Sequence, residues 1–217
     1  MTGLCTYCTN ASDTRDHVPP ECFFSKPLPT DLVTVPACAG CNSTHGRDDE
    51  RMRNLLVALD QIADDPTVQA RAMPSMLRSL QRTRGYSNLQ HLTRSIREVE
   101  RWSAGGIYLG TAHAVDLDQG VADRFFERMA KALLRKETGT RSMTATARWS
   151  MAPTVQDLDQ APTGLKDFFL SGLVREIGGG SFRYAAYFQQ QRADSLWVMQ
   201  FLSGPEFMVR LIEPKGA

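Results

Sequence analysis

The sequence predicts an α+β protein in three parts: an N-terminal segment stapled by cysteines, a helical middle, and a C-terminal small antiparallel sheet with a helix. Residues 1–50 are rich in Cys, Pro, Thr and Asp and poor in periodic apolar residues. Such a segment cannot bury much of a hydrophobic core, so it needs a cross-link such as a disulfide or a bound metal ion. Helical periods dominate the middle, and three strand-like runs follow residue 180. At 217 residues, 42% of them hydrophobic and 23% charged, the chain is long enough for one large domain or two small ones.

The first elements are marked out by charge and by chain breakers. A run that ends at Pro36 is typical of a short strand. A helix is expected from about Asp48, because acidic residues in a first turn favour the helix dipole and an apolar stripe follows them. Asp64-Asp65-Pro66 ends that helix, and Gly105-Gly106 ends the helical middle. The elements predicted before residue 105 are therefore a strand over 31–36 and helices from 48, over 67–83 and over 88–103.

The second half is predicted to be mixed. Asp118 is placed to cap an amphipathic helix whose buried face includes Phe125 and Met129. The last three runs, SFRYAAYFQQ, SLWVMQFL and EFMVRLIEP, indicate an antiparallel meander. The elements predicted after residue 105 are a strand over 107–115, a helix over 119–136, a loop over 150–164 and these three strands.

The domain division that follows is 1–56 for the cysteine-stapled module, 57–104 for a helical basic region and 105–217 for an α+β accessory domain. No apolar run approaches the roughly 18 residues that would cross a membrane. The N-terminus lacks the features of a signal peptide, so a cytoplasmic location is expected. In that reducing compartment, paired cysteines favour metal binding over disulfides.

Charge is unevenly distributed along the chain. The net charge is +1, made up of −4 over residues 1–50, +6 over 51–150 and −1 over 151–217. Only the middle has the basic excess that suits a polyanion. Residues 71–101 hold seven arginines against two acids, and Arg94, Arg97 and Arg101 share one face if they are helical. A second stripe with helical spacing is formed by Arg124, Arg128, Lys131 and Arg135.

Two CxxC pairs are the strongest motif in the sequence. Cys5 and Cys8 are separated by two residues, as are Cys38 and Cys41 about 30 residues later. Four thiolates in two tight turns match the tetrahedral demands of structural zinc, Zn²⁺. The alternative is four ordinary core cysteines, and Cys22 is expected to be such a buried residue. A closed four-thiolate site leaves no open position, so this ion would stabilise the fold and not catalyse.

The pair Asp16-His17 and the residue Asn42, placed among these cysteines, resemble the motif of the HNH endonuclease family in its zinc-knuckle branch. The resemblance covers residues 5–55 and implies a ββα-metal fold, a hairpin and a helix around one catalytic Mg²⁺ or Mn²⁺. It implies Asp16 and Asn42 as ligands of that ion and His17 as the general base, and histidine can exchange a proton near neutral pH. It implies DNA as the substrate.

Two departures from the family pattern limit the resemblance. The position of the middle Asn offers only Asp31 or Thr34, so that role is unassigned. The final His is replaced by Asn42, and His45, three residues later, is a candidate for contact with the ion or the phosphate. Arg47 is a candidate phosphate ligand.

Each assignment has a plainer alternative. Asp16 is also typical of a turn cap, Asn42 of a helix N-cap, and His17, His45 and Arg47 of surface residues. The stripe Arg124, Arg128, Lys131 and Arg135 is equally typical of a solvated helix face, against the functional interpretation of DNA backbone contacts.

At the level of the whole protein, the alternatives to a nuclease are a zinc-ribbon module that binds nucleic acid and a decayed nuclease subunit. We expect DNA as the partner and no membrane. The C-terminal domain is the candidate surface for a protein partner, and the sequence predicts no oligomeric state.

Overall fold

The structure, a computed structural model, describes residues 3–59, 65–66, 68–82, 85–152, 173–188 and 194–214. Within these residues the chain forms four α-helices and three antiparallel sheets, the largest a C-terminal sheet of five strands. The predicted α+β class is therefore confirmed. No helix in the described ranges has the length and apolar character needed to cross a membrane.

A hairpin and a helix form the N-terminal part. Strands β1 (Thr14–Val18) and β2 (Val33–Ala37) pair antiparallel, with Asp16 opposite Val35 and His17 opposite Thr34. A short 3₁₀ helix, Glu21–Phe23, lies in the connection between them. β1 ends before Pro19, which has no N–H to donate to the ladder. The strand predicted over 31–36 is thus confirmed, displaced toward the C-terminus.

Helix α1 (Ala39–Val57) begins earlier than the sequence predicted. The expected start near Asp48 is wrong because the second CxxC pair itself opens the helix. Cys38 is the N-cap, and its thiol accepts a hydrogen bond from the backbone N–H of Cys41 at 3.5 Å. The first turns are rich in Gly, Ser and Thr. These residues have low helix propensity, so the sequence did not indicate a helix there.

The middle of the chain is only partly helical. A π-helical turn (Val68–Ala72) runs into α2 (Met73–Leu80), and α3 follows (Gly85–Ser95). The helix predicted over 88–103 is wrong after Ser95, because β3 (Ile96–Trp102) pairs antiparallel with β4 (Tyr108–Val115). The predicted strand over 107–115 needs a partner for its backbone groups, and β3 supplies it.

Helix α4 (Gln119–Thr138) is the central element. Asp118 caps it by accepting a hydrogen bond from the Val121 N–H at 3.1 Å, as predicted, and Gly139 ends it at a φ of 73°. The helix contacts α1, β1 and β2 as well as two strands of the large sheet. Because the helix lies between the N-terminal elements and that sheet, some of its polar side chains are buried together with its apolar ones.

The C-terminal sheet contains the predicted meander and two more strands. The strands are β5 (Thr146–Met151), β6 (Leu173–Ile177), β7 (Phe182–Phe188), β8 (Ser195–Phe201) and β9 (Glu206–Ile212). Their order in the sheet is β5-β9-β8-β7-β6, with all neighbours antiparallel. The three predicted runs are confirmed as β7, β8 and β9. The loop predicted over 150–164 is wrong at its first two residues, which end β5, and its remainder after 152 lies outside the described residues.

One hydrophobic cluster joins the N-terminal elements, α4 and the large sheet. Phe125 of α4 shows the connection, since its ring centroid lies 6.2 Å from that of Phe23 and 5.5 Å from that of Phe201. Truncating a buried Phe of this kind costs about 3–5 kcal/mol. The division at 1–56, 57–104 and 105–217 stays a prediction, but in the described residues the first and third parts share this core.

Candidate functional site

The four predicted cysteines lie together. One ligand atom from each of Cys5, Cys8, Cys38 and Cys41 falls within 4.8 Å of the others, and the Sγ atoms of Cys8 and Cys38 are 3.6 Å apart. A tetrahedron with Zn–S bonds of about 2.3 Å has S–S edges of about 3.8 Å. The cluster therefore has the donor type and the spacing that a zinc ion requires.

The protonation of these thiols also fits a bound cation. The backbone N–H of Cys41 lowers the pKa of Cys38 to about 7, whereas burial and the neighbouring cysteines raise the pKa of Cys41. Four thiolates this close repel one another, so a cation is needed to keep all of them charged. Cys22 packs separately against the core, and burial raises its pKa.

The cysteine cluster is connected to the hairpin and to the C-terminal part of the chain. Thr6, inside the first CxxC turn, donates from its backbone N–H and its hydroxyl to the Pro36 carbonyl of β2, at 2.9 and 2.8 Å. Arg141 donates to the Cys5 carbonyl at 3.2 Å. The cluster is thus joined to the end of β2, to the first turn of α1 and to Arg141 after α4.

Asp16 is a buried strand residue at the centre of a polar network. Its Oδ2 atom accepts hydrogen bonds from the Tyr7 hydroxyl at 2.5 Å and from Arg128 Nη1 at 2.8 Å, and His45 Nδ1 lies 3.7 Å away. Burial raises the pKa of Asp16, but the Arg128 charge and the contacts from His45 and Tyr7 outweigh it and hold the pKa well below its ordinary value. The carboxylate is therefore ionised, and a turn-cap role does not describe it.

Arg128 bridges two buried carboxylates. Its Nη2 donates to Asp49 Oδ1 of α1, while Nη1 contacts Asp16 of β1. Burial raises the pKa of Asp49 to about 7, with Arg128 opposing the shift and Asp16 adding to it. One guanidinium offsets only one of two negative charges. The desolvation cost of the other charge therefore appears at Asp49, as its raised pKa. We call Asp16, Asp49 and Arg128 the buried ion triad.

His17 has a carboxylate partner that the sequence did not reveal. Its Nδ1 atom lies 3.1 Å from Glu21 Oε1, and its side chain is 29% exposed. Successive residues of β1 point to opposite sides, yet both Asp16 and His17 line one cavity of about 560 Å³. The contact with Glu21 orients the ring and engages Nδ1. Nε2 is therefore the ring nitrogen that can exchange a proton with a bound molecule.

Asn42 and His45 lie on α1 beside these residues. The Asn42 amide nitrogen donates to the Arg15 carbonyl at 3.2 Å, so its oxygen is the atom left for a ligand, and Asn42 lines the same cavity. Asn42 is not the N-cap, because Cys38 is. The His45 ring contacts Tyr7 edge-on at 4.8 Å and lies near Asp16. The structure therefore brings Asp16, His17 and Asn42 to one cavity. His45 contacts Asp16 but is not among the residues that line this cavity.

The predicted basic residues are not brought together as an exposed stripe. Arg124 is exposed and pairs with Asp48 at 2.7 Å, and Arg135 donates to the Gly139 carbonyl. Arg128 and Lys131 are buried, Lys131 against Glu127 at 2.8 Å. Arg47 is exposed on α1. Arg97 and Arg101 lie on β3 and Arg94 on α3, so those three do not form one helix face.

The other residues considered at the sequence level have separate partners. Asp31 accepts from the Gly178 N–H at 3.0 Å, and Thr34 accepts from Arg15 at 2.8 Å. Sequence reasoning missed Tyr7, Glu21, Asp49 and the pairing of Arg128. Glu21 had a weak signal, since it lies four residues after His17 and follows two prolines. Asp49 and Arg128 are 79 residues apart, and nothing local links them.

Comparison with protein-family models, with curated proteins and with solved structures found no match to this chain.

Proposed function

We propose that the chain is a metal-dependent endonuclease of HNH type that hydrolyses DNA phosphodiester bonds. The observation that supports this most is the shared cavity. A histidine with a carboxylate partner, an ionised aspartate and an asparagine line it, on a hairpin and a helix joined by a four-cysteine cluster. These are the positions that the resemblance to the HNH family assigns to catalysis.

His17 is the general base in this proposal. With Nδ1 directed at Glu21, the Nε2 atom is the one that accepts a proton from the attacking water. The water oxygen forms a bond to phosphorus, the P–O bond to the leaving sugar oxygen breaks, and that oxygen takes a proton from solvent. Glu21 keeps the ring in the orientation and tautomer that this transfer needs.

Asp16 and Asn42 would hold the catalytic divalent ion, Mg²⁺ or Mn²⁺. When bound, the ion supplies positive charge for the phosphate and for the leaving oxygen. Two protein oxygens suffice, because Mg²⁺ keeps several waters in its coordination shell. The described contacts of Asp16 go to Oδ2, and the Asn42 nitrogen is held by β1. Each residue therefore has one oxygen to offer.

A second candidate is a zinc-ribbon module that binds nucleic acid without cutting it. The buried ion triad favours this alternative, because Arg128 already neutralises Asp16 and gives it a structural role. The two functions differ in His17, which a binding module does not need.

The test is cleavage by the zinc-loaded protein of supercoiled plasmid and of circular single-stranded DNA, with Mg²⁺ or Mn²⁺ and without either. We expect cutting only with a divalent ion and a large loss for His17→Ala. Failure of the wild-type protein to cut either DNA with both metals would refute the nuclease and favour the binding module.

A further inference from the structure

A second cavity continues the first one along α1. It has a volume of about 870 Å³ and is lined by residues of α1, the end of α2 and the start of α3. The two cavities share Gly46, Glu50, Ser79 and Arg82, so they adjoin along α1. One end holds Asp16, His17 and Asn42, and the other end holds Arg47 and Tyr86. We call this feature the α1 groove.

The side of the α1 groove formed by α2 and the residues just after it is basic. Arg78 and Arg82 are exposed there, and Arg82 lies 4.0 Å from Glu50, a distance beyond that of a hydrogen bond. Glu50 itself accepts from Asn88 at 3.1 Å. Among the described residues the side chains of Arg78 and Arg82 form no hydrogen bond, so their donors can serve an anion.

Arg53 of α1 adds a buried positive charge to the groove, beside Ser75 and Ser79 of α2. It is only 1% exposed and lines the cavity. Its hydrogen bonds within the described residues go to neutral acceptors, namely Asn54 Oδ1, the Cys22 carbonyl and the hydroxyls of Ser75 and Ser79. A buried guanidinium without a directly bonded carboxylate is costly, and burial lowers its pKa. An anion in the groove would offset that cost.

The size and the far end of the groove indicate which polyanion fits. Each cavity has the volume of a small-ligand site, a size that accommodates individual nucleotides of one strand. Tyr86, 68% exposed, offers a ring on which a base can stack. Ser87 adds a hydroxyl that can donate to a phosphate oxygen.

We propose that the α1 groove binds one unpaired DNA strand that extends from the cleaved phosphate toward Tyr86. Arg82 and Arg47 contact its phosphates, and Tyr86 stacks on a base. This inference rests on the proposed nuclease and names its substrate class: single-stranded DNA, or a duplex with an unpaired segment at the cutting site.

The test measures binding of a labelled single-stranded 12-mer and of the matching duplex to the zinc-loaded full chain, without Mg²⁺ so that nothing is cut. The variants are Arg47→Ala/Arg82→Ala and Tyr86→Ala. The matched controls are Arg183→Ala and Tyr187→Ala, exposed residues of the same types on β7. Far-ultraviolet circular dichroism checks that each variant is folded.

We expect the single strand to bind more tightly than the duplex. The double arginine variant should weaken single-strand binding at least 10-fold and reduce the salt slope by about 1.4, since each phosphate contact on a single strand contributes about 0.7. Tyr86→Ala should weaken binding roughly 5- to 160-fold, the usual range for the loss of one stacked base, with little change in slope. The controls should bind like wild type.

The inference is overturned if the groove variants bind single-stranded DNA with wild-type affinity and slope, or if the duplex binds as tightly. Cleavage of the same 12-mer with Mn²⁺ separates the two proposals. Cutting that is unaffected by the groove variants refutes the groove and leaves the nuclease. Groove-dependent binding without cutting refutes the nuclease and leaves a single-strand binding module.

Discussion

Replacing Arg128 by Met should destabilise the protein by about 3–5 kcal/mol at pH 7.5, measured without added divalent ion. Arg128 is 4% exposed, and it is the shared counter-ion of Asp16 and Asp49, which are 4% and 7% exposed. Removing one partner of a buried ion pair costs about 3–5 kcal/mol, because the remaining charge is left uncompensated in a medium of low polarity. A domain with a typical stability of about 5–15 kcal/mol loses a large share of it.

The assay is urea unfolding followed by tryptophan fluorescence, in which this loss should lower the midpoint by about 1–2 M. Arg124→Met is the matched control. It lies one turn earlier on α4, is exposed, and pairs with Asp48. Its loss should cost no more than about 1 kcal/mol, as for other surface pairs. Arg128→Lys should give an intermediate loss, because an ammonium keeps the charge and loses the two-nitrogen geometry that reaches both carboxylates.

The loss should depend on pH in a definite direction. Without Arg128, both carboxylates lose the positive charge that lowers their pKa values, so in the folded state the pKa of each rises relative to wild type, and that of Asp49 rises further above the unfolded value of about 3.9. A carboxyl group whose folded pKa is raised costs stability above its unfolded pKa and costs nothing below it, where both states are protonated. The difference from wild type should therefore shrink from pH 7.5 toward pH 4.

Neutralising the carboxylates gives a second check. Adding Asp16→Asn and Asp49→Asn to Arg128→Met should restore most of the lost stability, because no buried charge is then left without a partner. A loss for Arg128→Met no larger than that for Arg124→Met, or no recovery in the triple variant, would refute this account of the triad.

Four further predictions concern the same site. Cys38→Ser should release about one zinc per chain on elemental analysis and loosen residues 1–55, whereas absence of zinc from wild-type protein purified without chelators would contradict the metal site. His17→Ala should cut DNA roughly 10²–10⁴-fold more slowly, with no recovery at high Mn²⁺, while Asp16→Ala should recover in part; near wild-type cutting by His17→Ala would point to His45. Glu21→Ala should lower kcat about 10-fold at unchanged KM and Glu21→Gln less, since an amide oxygen still accepts from Nδ1; equal losses would argue against an orienting role. Asp49→Asn should be neutral near pH 4 and stabilising at pH 8 in urea melts, because the pKa of Asp49 is raised to about 7 and its ionised form is the costly one; a loss at pH 8 would contradict this sign.

The parts of the fold that could be predicted are those whose causes are local. The CxxC spacing correctly predicted that Cys5, Cys8, Cys38 and Cys41 lie together. Two short turns and a tetrahedral ion leave few possible arrangements of the four thiols. Asp118 marked the start of α4 because a cap acts within three residues. Alternation of apolar residues marked β7, β8 and β9 for the same reason.

The parts that failed have causes distant in sequence. Ile96, Val99 and Trp102 repeat every three residues among good helix formers, yet they form β3 because β4 needs a hydrogen-bonded partner. The stripe that includes Arg128 and Lys131 has the spacing of a solvated or DNA-binding face. It is partly buried because α4 lies between two layers, and the layer that covers Arg128 comes from residues 14–57. No property of residues 119–138 alone reveals that layer.

The buried ion triad links the stability of the fold to the state of the candidate site. Asp16 and Asp49 belong to the N-terminal module, and their counter-ion comes from the central helix. Arg128 and the contacts from Tyr7 and His45 hold the pKa of Asp16 well below its ordinary value, so the carboxylate is ionised near neutral pH, which is the form that a cation requires. Without α4, the N-terminal segment would hold the buried carboxylates of Asp16 and Asp49 without the Arg128 charge that offsets their repulsion. The cysteine cluster fixes its backbone, and α4 supplies the charge that lets a carboxylate stay buried and ionised at the edge of the cavity.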